Sequence, residues 1–344
     1  MIAKQLCTLL AFFCMSMPLL AAEPVAPSPP SPHAIEIPSW FKESFLELDK
    51  DIKEAAAGKK RVMLYFGQDG CPYCMKLMQV NFSQKDIVDR MHRYYDAIAL
   101  NMWGDREVTW LDGKIRTEKE FAAFLRVQFT PTLLFFDEQG KVVLRINGYY
   151  PPHKLRAALD YVGEKMEART PFPEYLKTAA PEPAGGTLHD EPFFLPGPYD
   201  LQRTQRLAAK PLMVLFEQKD CADCDELHAK GFKDKDVLDL LKHFNVVRLS
   251  LFGKDPLTTP DGKKMTEAEW GRALKVAYTP GVVFFDAKGK EVFRIEAYLK
   301  SFHLASSLEY VASKSYLTQP SFQRFIEARA DKLRKAGIPF DIWQ

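Results

Sequence analysis

Two pairs of cysteines, each separated by two residues, are the part of this sequence best suited to chemistry. Cys71 pairs with Cys74, and Cys221 pairs with Cys224. Each pair follows an apolar run of strand length and begins a predicted helix. Because helix N-termini favour a thiolate, the first cysteine can attack a disulfide and the second can resolve the mixed disulfide. We therefore predict four redox cysteines, with the first of each pair at an exposed edge.

A Thr-Pro step recurs with the cysteines. Thr130-Pro131 and Thr279-Pro280 each lie about 60 residues after the first cysteine of their own pair. Such a step often marks only the start of a strand. In proteins of the thioredoxin fold, which these motifs resemble, this distance from the cysteines places a cis proline that faces the disulfide. The resemblance implies that the backbone before the proline pairs with an incoming peptide. The predicted substrate-binding residues are Pro72, Tyr73, Thr130, Pro131, Thr279 and Pro280.

The surroundings of the two pairs are a duplication. VMLYFGQDGCPYCMKL, from Val62, matches LMVLFEQKDCADCDEL, from Leu212, at an offset of 150 residues, and the match continues beyond the Thr-Pro steps. A chain of 344 residues can bury a core in each copy. The predicted divisions are a signal peptide over 1–22, an extended or disordered segment over 23–38, a first domain over 39–177, a linker over 178–198 and a second domain over 199–344.

Each copy has the same predicted order of elements. A helix (Trp40–Ala57 or Tyr199–Ala209) precedes the first strand, and a helix from the cysteines to about Met91 or Lys242 follows it. A second strand and a polar loop come next. A helix that starts at a capping box on Thr117 or Thr266, two strands and a last helix complete each copy. This β-α-β-α-β-β-α order predicts an α/β protein of two tandem thioredoxin-like domains.

The cysteine and Thr-Pro motifs resemble those of exported thioredoxin-like proteins of the sulfur-oxidation (SoxW-like) group and of periplasmic disulfide-bond proteins, over about residues 40–170 and 198–330. CPYC is also the motif of glutaredoxins. The resemblance implies that Cys71 is the nucleophile, that Cys74 resolves and that Thr130-Pro131 supports substrate. Thioredoxins carry a buried Asp where this sequence has Tyr65 and Leu215, so no proton acceptor for Cys74 is apparent.

The second pair has a different chemical setting. Carboxylates surround it and disfavour a thiolate, so we predict that CADC is the more reducing pair and passes electrons to CPYC. Two alternatives stay open: a structural disulfide in a binding domain, or a soft metal such as copper on Cys221, Cys224 and His228. A zinc site shared by both pairs is disfavoured by the 146 residues between them. The carboxylates are Asp220, Asp223, Asp225 and Glu226.

The N-terminus indicates export. Lys4 precedes an apolar run over Leu6–Leu20 and small residues at Ala21 and Ala22, which is typical of a signal peptide. The alternative is a retained membrane anchor, because Leu20 fits the cleavage site poorly. With 47 basic and 45 acidic residues, the composition gives no support for a nucleic-acid partner.

These patterns together predict an exported, periplasmic thiol–disulfide oxidoreductase without a cofactor or a bound metal. Its expected partners are protein thiols or disulfides and a redox partner protein, with no membrane contact once the signal is removed. The alternative is a duplicated thioredoxin-like binding module whose disulfides are structural. An exposed, acidic Cys71 would favour the enzyme, and a buried, unreactive one would favour the module.

Overall fold

The computed structural model describes residues 34–203 and 209–341 and contains two α/β units, one for each copy in the duplication. We call them repeat one and repeat two. In each, a four-stranded sheet lies between helices, as the sequence predicts. The two repeats belong to one compact body. The predicted signal peptide lies outside the described residues.

Repeat one starts with a helix that leads into the central strand of its sheet. The elements are α1 (Leu48–Ala57), β1 (Arg61–Gly67), α2 (Pro72–Lys76), a π-helical turn (Leu77–Asn81), α3 (Lys85–Tyr94), β2 (Tyr95–Asn101), β3 (Glu107–Thr109), β4 (Ile115–Thr117), α4 (Glu118–Phe124), β5 (Thr132–Phe136), β6 (Val142–Asn147), α5 (Pro152–Gly163), a 3-10 turn (Met166–Ala168) and α6 (Phe172–Ala179).

Repeat two has the same order from its central strand onward. The elements are β7 (Leu212–Glu217), α7 (Ala222–Ala229), a 3-10 turn (Gly231–Lys233), α8 (Lys235–Leu241), β8 (Asn245–Ser250), β9 (Pro256–Thr258), β10 (Lys264–Thr266), α9 (Glu267–Ala273), β11 (Gly281–Phe285), β12 (Glu291–Ile295), α10 (Ser301–Ala312), a 3-10 turn (Ser315–Leu317) and α11 (Phe322–Lys335).

The sheet order brings the two motifs of each repeat together. In repeat one the order is β2-β1-β5-β6, with β1 parallel to β2 and antiparallel to β5. Phe66 near the end of β1 pairs with Thr132 at the start of β5. Residues just after β1 and just before β5 therefore meet at one edge of the sheet. Cys71 and Thr130 are such residues.

Both faces of each sheet are buried, which explains the continuous apolar runs. Met63 and Tyr65 of β1 contribute to one core, and Val62, Leu64 and Phe66 contribute to the core on the opposite face. The second sheet divides its residues between two cores in the same way. The side chains of each central strand alternate between these two layers of helices.

Two predicted helices before the central strands are wrong in extent. The helix predicted over Trp40–Ala57 begins only at Leu48, because Leu46 has a left-handed backbone (φ 61°) and donates its N–H to the Ser44 hydroxyl. Tyr199–Ala209 was predicted as a helix, but residues 199–203 are not helical. Their backbone pairs with Thr258 of β9 instead, and 204–208 lie outside the described residues.

The long helices predicted to start at the cysteines are interrupted. In repeat one the chain passes through a π-helical turn and leaves the helix before Lys85. In repeat two, Asp234 accepts the N–H groups of Asp236 and Val237 and so begins a new helix. Phe82 and Phe232 are buried at the two breaks, because their side chains fill the core there.

Segments predicted to be extended or flexible pack against the repeats. Ile35 and Ile37 contact the first core, so ordered packing starts ahead of residue 39. In the predicted linker 178–198, Phe193 and Phe194 contact the core of repeat two, and Leu195 donates its N–H to Val246 of β8. The linker prediction followed from Pro, Gly and Ala content, which does not reveal these apolar anchors.

In each repeat, a short hairpin precedes a capped helix in the middle of the unit. The capping boxes predicted at Thr117 and Thr266 are confirmed, each with a Glu three residues later. The polar loops before them contain the short hairpins β3–β4 and β9–β10, which the sequence did not indicate. Within the described ranges, no helix is long and apolar enough to cross a membrane.

Candidate functional site

Each cysteine pair lies where the sequence places it, at the start of a helix. Cys71 is the N-cap of α2, and its Sγ accepts the backbone N–H of Cys74 at 3.1 Å, with Pro72 in the first turn. Cys221 caps α7 by the same contact with Cys224, also at 3.1 Å. Both pairs are disulfide-bonded, with Cα atoms 5.2 Å apart. The sulfur of the first cysteine therefore satisfies one N–H that the helix leaves unpaired.

The Thr-Pro steps lie beside the disulfides. Both peptide bonds, Thr130-Pro131 and Thr279-Pro280, are cis, as predicted. The Cys71 sulfur lies 3.4 Å from the carbonyl oxygen of Thr130. In repeat two, Thr279 and Cys221 line the same small cavity. The structure thus brings together the residues that the sequence separates by about 60 positions.

The prediction that the first cysteines are exposed is wrong. Cys71 and Cys221 are each 3% exposed, and Cys74 and Cys224 are buried more completely. The reason is the packing of the repeats: the face that carries each pair is covered by helices of the other repeat.

The covering contacts are reciprocal. Lys154 on α5 of repeat one lies 2.8 Å from Asp223, the second residue between the cysteines of repeat two. His303 on α10 of repeat two contacts the ring of Tyr73, the second residue between the cysteines of repeat one, with centroids 5.6 Å apart. Lys154 and His303 are equivalent residues of the duplication, at an offset of 149. The same helix position in each repeat therefore lies on the other repeat's cysteine motif.

Aromatic and amide contacts extend this interface. Phe129, next to Thr130, packs on Phe322 of repeat two at a centroid distance of 5.3 Å. The side-chain oxygen of Gln128 accepts the Phe322 N–H at 3.0 Å, and its carbonyl accepts from Gln323 at 2.9 Å. Helix α11 therefore contacts Gln128 and Phe129, the two residues that precede the first Thr-Pro step.

A cavity of about 480 Å³ remains above Cys71. Repeat one contributes Tyr73, Thr130 and Trp103 to its lining, and repeat two contributes His303 and Arg324. The Tyr73 hydroxyl is buried with no hydrogen-bond partner among residues 34–203 and 209–341, and burial raises its pKa to about 12. This cavity is large enough for a side chain or a short extended segment, but not for a folded domain.

The cavity at Cys221 is smaller, about 160 Å³, and its lining includes both acidic and basic residues. Lys154 lies in its wall and is only 4% exposed. Its ammonium group is 2.8 Å from Asp223 and 2.9 Å from Glu182, and Tyr278 donates its hydroxyl to Asp223. The buried ammonium group of Lys154 therefore lies between two carboxylates.

Most of the carboxylates near CADC have hydrogen-bond or ion-pair partners. Asp225 accepts the N–H of Gly185 at 2.7 Å and contacts His189 at 2.6 Å. Glu226 contacts Lys230 at 3.1 Å; burial opposes its charge, but the lysine contacts outweigh burial and lower its pKa. The fourth carboxylate, Asp220, is exposed. The negative charge expected at these thiols is therefore weaker than the sequence suggests.

His228 has a structural role rather than the proposed role as a metal ligand. It is 4% exposed, and its two ring nitrogens contact Glu191 at 3.0 Å and Glu217 at 2.9 Å. Burial opposes its charge, but the two carboxylates outweigh burial and raise its pKa above the usual value. In the described part of the chain, no group of three or more His, Cys, Asp or Glu side chains is arranged to hold a metal ion.

The positions that hold an Asp in thioredoxins are apolar or aromatic here. The Tyr65 hydroxyl is buried without a hydrogen-bond partner in the described ranges, and burial raises its pKa. Leu215 is fully buried in the equivalent place. Sequence reasoning missed Lys154 and His303 as residues of the site. Their equivalence in the duplication was visible, but nothing in the sequence showed that they face the opposite repeat.

The comparison with protein families agrees with this geometry. The thioredoxin-like domain model matches residues 48–163 and 200–312, which is more than half of the chain. The chain therefore belongs to the thioredoxin-like family. No curated protein sequence matches it.

Several solved structures resemble single repeats. A thioredoxin-fold protein from Helicobacter pylori is 27% identical, with a TM-score of 0.29, over 35% of this chain and 79% of that one. A thioredoxin from Thermus thermophilus is 23% identical, with a TM-score of 0.27, over 34% and 83%. The oxidised C-terminal domain of DsbD from Neisseria meningitidis is 16% identical, with a TM-score of 0.24, over 30% and 83%. Scores this low add nothing to the family assignment.

Proposed function

We propose that this protein is a thiol–disulfide oxidoreductase that exchanges disulfides with protein substrates through Cys71 and Cys74. The observation that carries the proposal is the Cys71–Cys74 disulfide at the first turn of α2, with the Cys71 sulfur 3.4 Å from the Thr130 carbonyl oxygen. A helix N-terminus favours the thiolate that attacks. The cavity above Cys71 gives an extended, cysteine-bearing segment a route to the sulfur.

The proposal is tested with the reduced full-length protein and a disulfide-bonded protein such as insulin. We expect reduction of insulin to be lost in Cys71→Ser. The matched control, Cys221→Ser, removes the first cysteine of the other repeat and is expected to retain single-turnover exchange at Cys71. A wild-type protein that exchanges no disulfide would overturn the proposal.

The binding module is the second candidate function, and the burial of both disulfides by the opposite repeat favours it. If the disulfides are purely structural, the folded, reduced protein protects Cys71 from alkylation, and reduction lowers the stability of both repeats. If Cys71 reacts rapidly while the fold persists, the module is excluded. Mass spectrometry of the alkylated peptide distinguishes the two results.

We also propose that the protein is exported to the periplasm. The support is Lys4 followed by the apolar run Leu6–Leu20 and the small residues Ala21 and Ala22. N-terminal sequencing of the protein from fractionated cells is expected to begin near residue 23. A chain that keeps residues 1–22 and stays in the membrane fraction would show a retained anchor instead.

A further inference from the structure

His303 is a titratable group at the Cys71 cavity that the disulfide itself does not use. Its ring is partly exposed to the cavity, and its Nδ1 atom is buried. The Nδ1 atom has no hydrogen-bond partner among the described residues. A buried polar atom without a partner is destabilising, so its retention calls for an explanation.

The surroundings of His303 keep it neutral while the disulfide is intact. The Tyr73 ring from α2 and Phe302 beside it on α10 are its ring contacts. Burial lowers the pKa of His303 to about 4. The charged groups that line the same cavity are Asp69 from the loop after β1, and Arg324, Glu327 and Arg334 from α11. None of these is paired with the imidazole.

Reduction changes the charge of this cavity. A disulfide is neutral, whereas a Cys71 thiolate is an anion in the space that His303 lines. An anion in a poorly hydrated site raises the pKa of a neighbouring imidazole and is itself stabilised by the imidazolium. A Cys71 thiolate would therefore give His303 a charged neighbour in this cavity that the disulfide does not provide.

We propose that His303 of repeat two accepts the proton of the Cys71 thiol in repeat one and holds Cys71 as a thiolate. This inference rests on Cys71 being the attacking thiol. It gives Cys71 a proton acceptor from the opposite repeat, whereas the acceptor for Cys74 that is missing at Tyr65 is a separate group. At the equivalent position Lys154 serves the CADC motif, so each repeat provides a basic side chain to the other.

The Cys71 proton moves to His303, and the thiolate attacks one sulfur of the substrate disulfide. The substrate S–S bond breaks, and the departing sulfur leaves with the electron pair and takes the proton from His303. The Cys74 thiol then attacks the Cys71 sulfur of the mixed disulfide, its proton passes to the departing substrate sulfur, and the Cys71–Cys74 bond re-forms. The substrate has then received two electrons and two protons. A dithiol donor restores the reduced protein.

The test is the pH dependence of Cys71 alkylation in the reduced full-length protein, read from the Cys71 peptide by mass spectrometry. We expect His303→Gln to raise the midpoint by about one pH unit, which is a tenfold loss of thiolate below the midpoint. Lys154→Gln loosens the same interface at the other motif and is expected to leave the Cys71 midpoint unchanged. An unchanged midpoint in His303→Gln, or an equal shift in Lys154→Gln, overturns the proposal.

A second measurement avoids substitution of His303. In ¹⁵N-histidine spectra of the wild-type protein, the His303 ring is expected to titrate well below pH 6 in the oxidised form and to gain its proton at higher pH after reduction. Titration that is identical in both redox states would refute the inference. Insulin reduction by the wild-type protein tests the proposed function separately. A failure of that function can therefore be distinguished from a failure of the inference about His303.

Discussion

The Lys154 ammonium lies 2.8 Å from the Asp223 carboxylate, which bonds a helix of repeat one to the middle of the CADC motif of repeat two. The equivalent pair, His303 and Tyr73, joins the repeats at the CPYC motif. The residues that distinguish the two motifs are therefore also the residues that hold the repeats together. The chemistry of each disulfide and the packing of the repeats cannot vary independently.

Lys154→Met is expected to destabilise the protein by about 2 kcal/mol. Removing one partner of a buried ion pair typically costs about 3–5 kcal/mol, and the value here is smaller because Asp223 and Glu182 keep part of their hydration. Urea unfolding measures the loss. Adding Asp223→Asn to Lys154→Met should recover part of it, because the unpaired carboxylate is then absent. A single variant as stable as the wild type would show that the pair contributes nothing.

Phe129→Ala is expected to weaken repeat two, although the residue belongs to repeat one. Its ring is 7% exposed and packs on Phe293 and Phe322, so truncation should cost about 3 kcal/mol. Hydrogen exchange of β12 amides should become faster. The control is Phe124→Ala, because Phe124 is 49% exposed and should change stability by less than about 0.5 kcal/mol. Unchanged exchange in β12 would contradict the shared core.

The stabilisation by His228 should decrease as pH rises. Glu217 and Glu191 outweigh burial and raise its pKa in the folded protein above the unfolded value of about 6.5. The contribution is therefore complete below about pH 6.5 and is lost as pH rises through the folded pKa. Urea unfolding of wild type and His228→Gln at about pH 6 and pH 9 measures it.

The exposed His243 provides a control for this experiment. His243→Gln should follow the wild-type stability at both pH values. The prediction is wrong if the difference in unfolding free energy between the wild type and His228→Gln grows as pH rises.

The two cysteines of CPYC should trap partners differently. Cys74→Ser leaves the attacking thiol without its resolving partner, so mixed disulfides should accumulate in the native compartment. In the CPYC motif of Cys71→Ser only Cys74 remains. Its thiol is 0% exposed in the structure, so this variant should trap little through CPYC. Non-reducing electrophoresis after acid quenching and thiol blocking reveals the adducts. Equal trapping by both variants would refute the assigned roles.

The order of the two reduction potentials remains a prediction, with CADC the more reducing pair. Lys154 and His189, the partners of Asp223 and Asp225, reduce the expected difference between the two reduction potentials. A carboxylate with such a partner disfavours a nearby thiolate less than an unpartnered one does. Lys154→Met should therefore make CADC more reducing than in the wild type. The reduction potential of each pair is measured by equilibrating the full chain with a dithiol buffer and determining the reduced fraction of each cysteine-containing peptide. A wild-type CPYC pair that is the stronger reductant would reject the order.

Local patterns were sufficient for most of the fold but not for the surroundings of the cysteines. The apolar run from Val62 and the capping box at Thr117 predict their elements because neighbouring residues determine both. The burial of Cys71 depends instead on helices more than 200 positions later in the chain. Similarly, the sequence shows Asp223 only as a negatively charged residue, because its partner Lys154 is 69 residues away in the chain.

The reciprocal contacts between the repeats have the pattern of an isologous interface, in which one patch meets its own copy across a two-fold axis. In a dimer of identical chains, any substitution in such a patch appears on both sides at once. Here both copies belong to one chain, so each side can change alone, and one side has become a charge pair while the other is aromatic. The two disulfides therefore have different neighbours across one interface, and nothing in the symmetry of the contacts requires their reduction potentials to be equal.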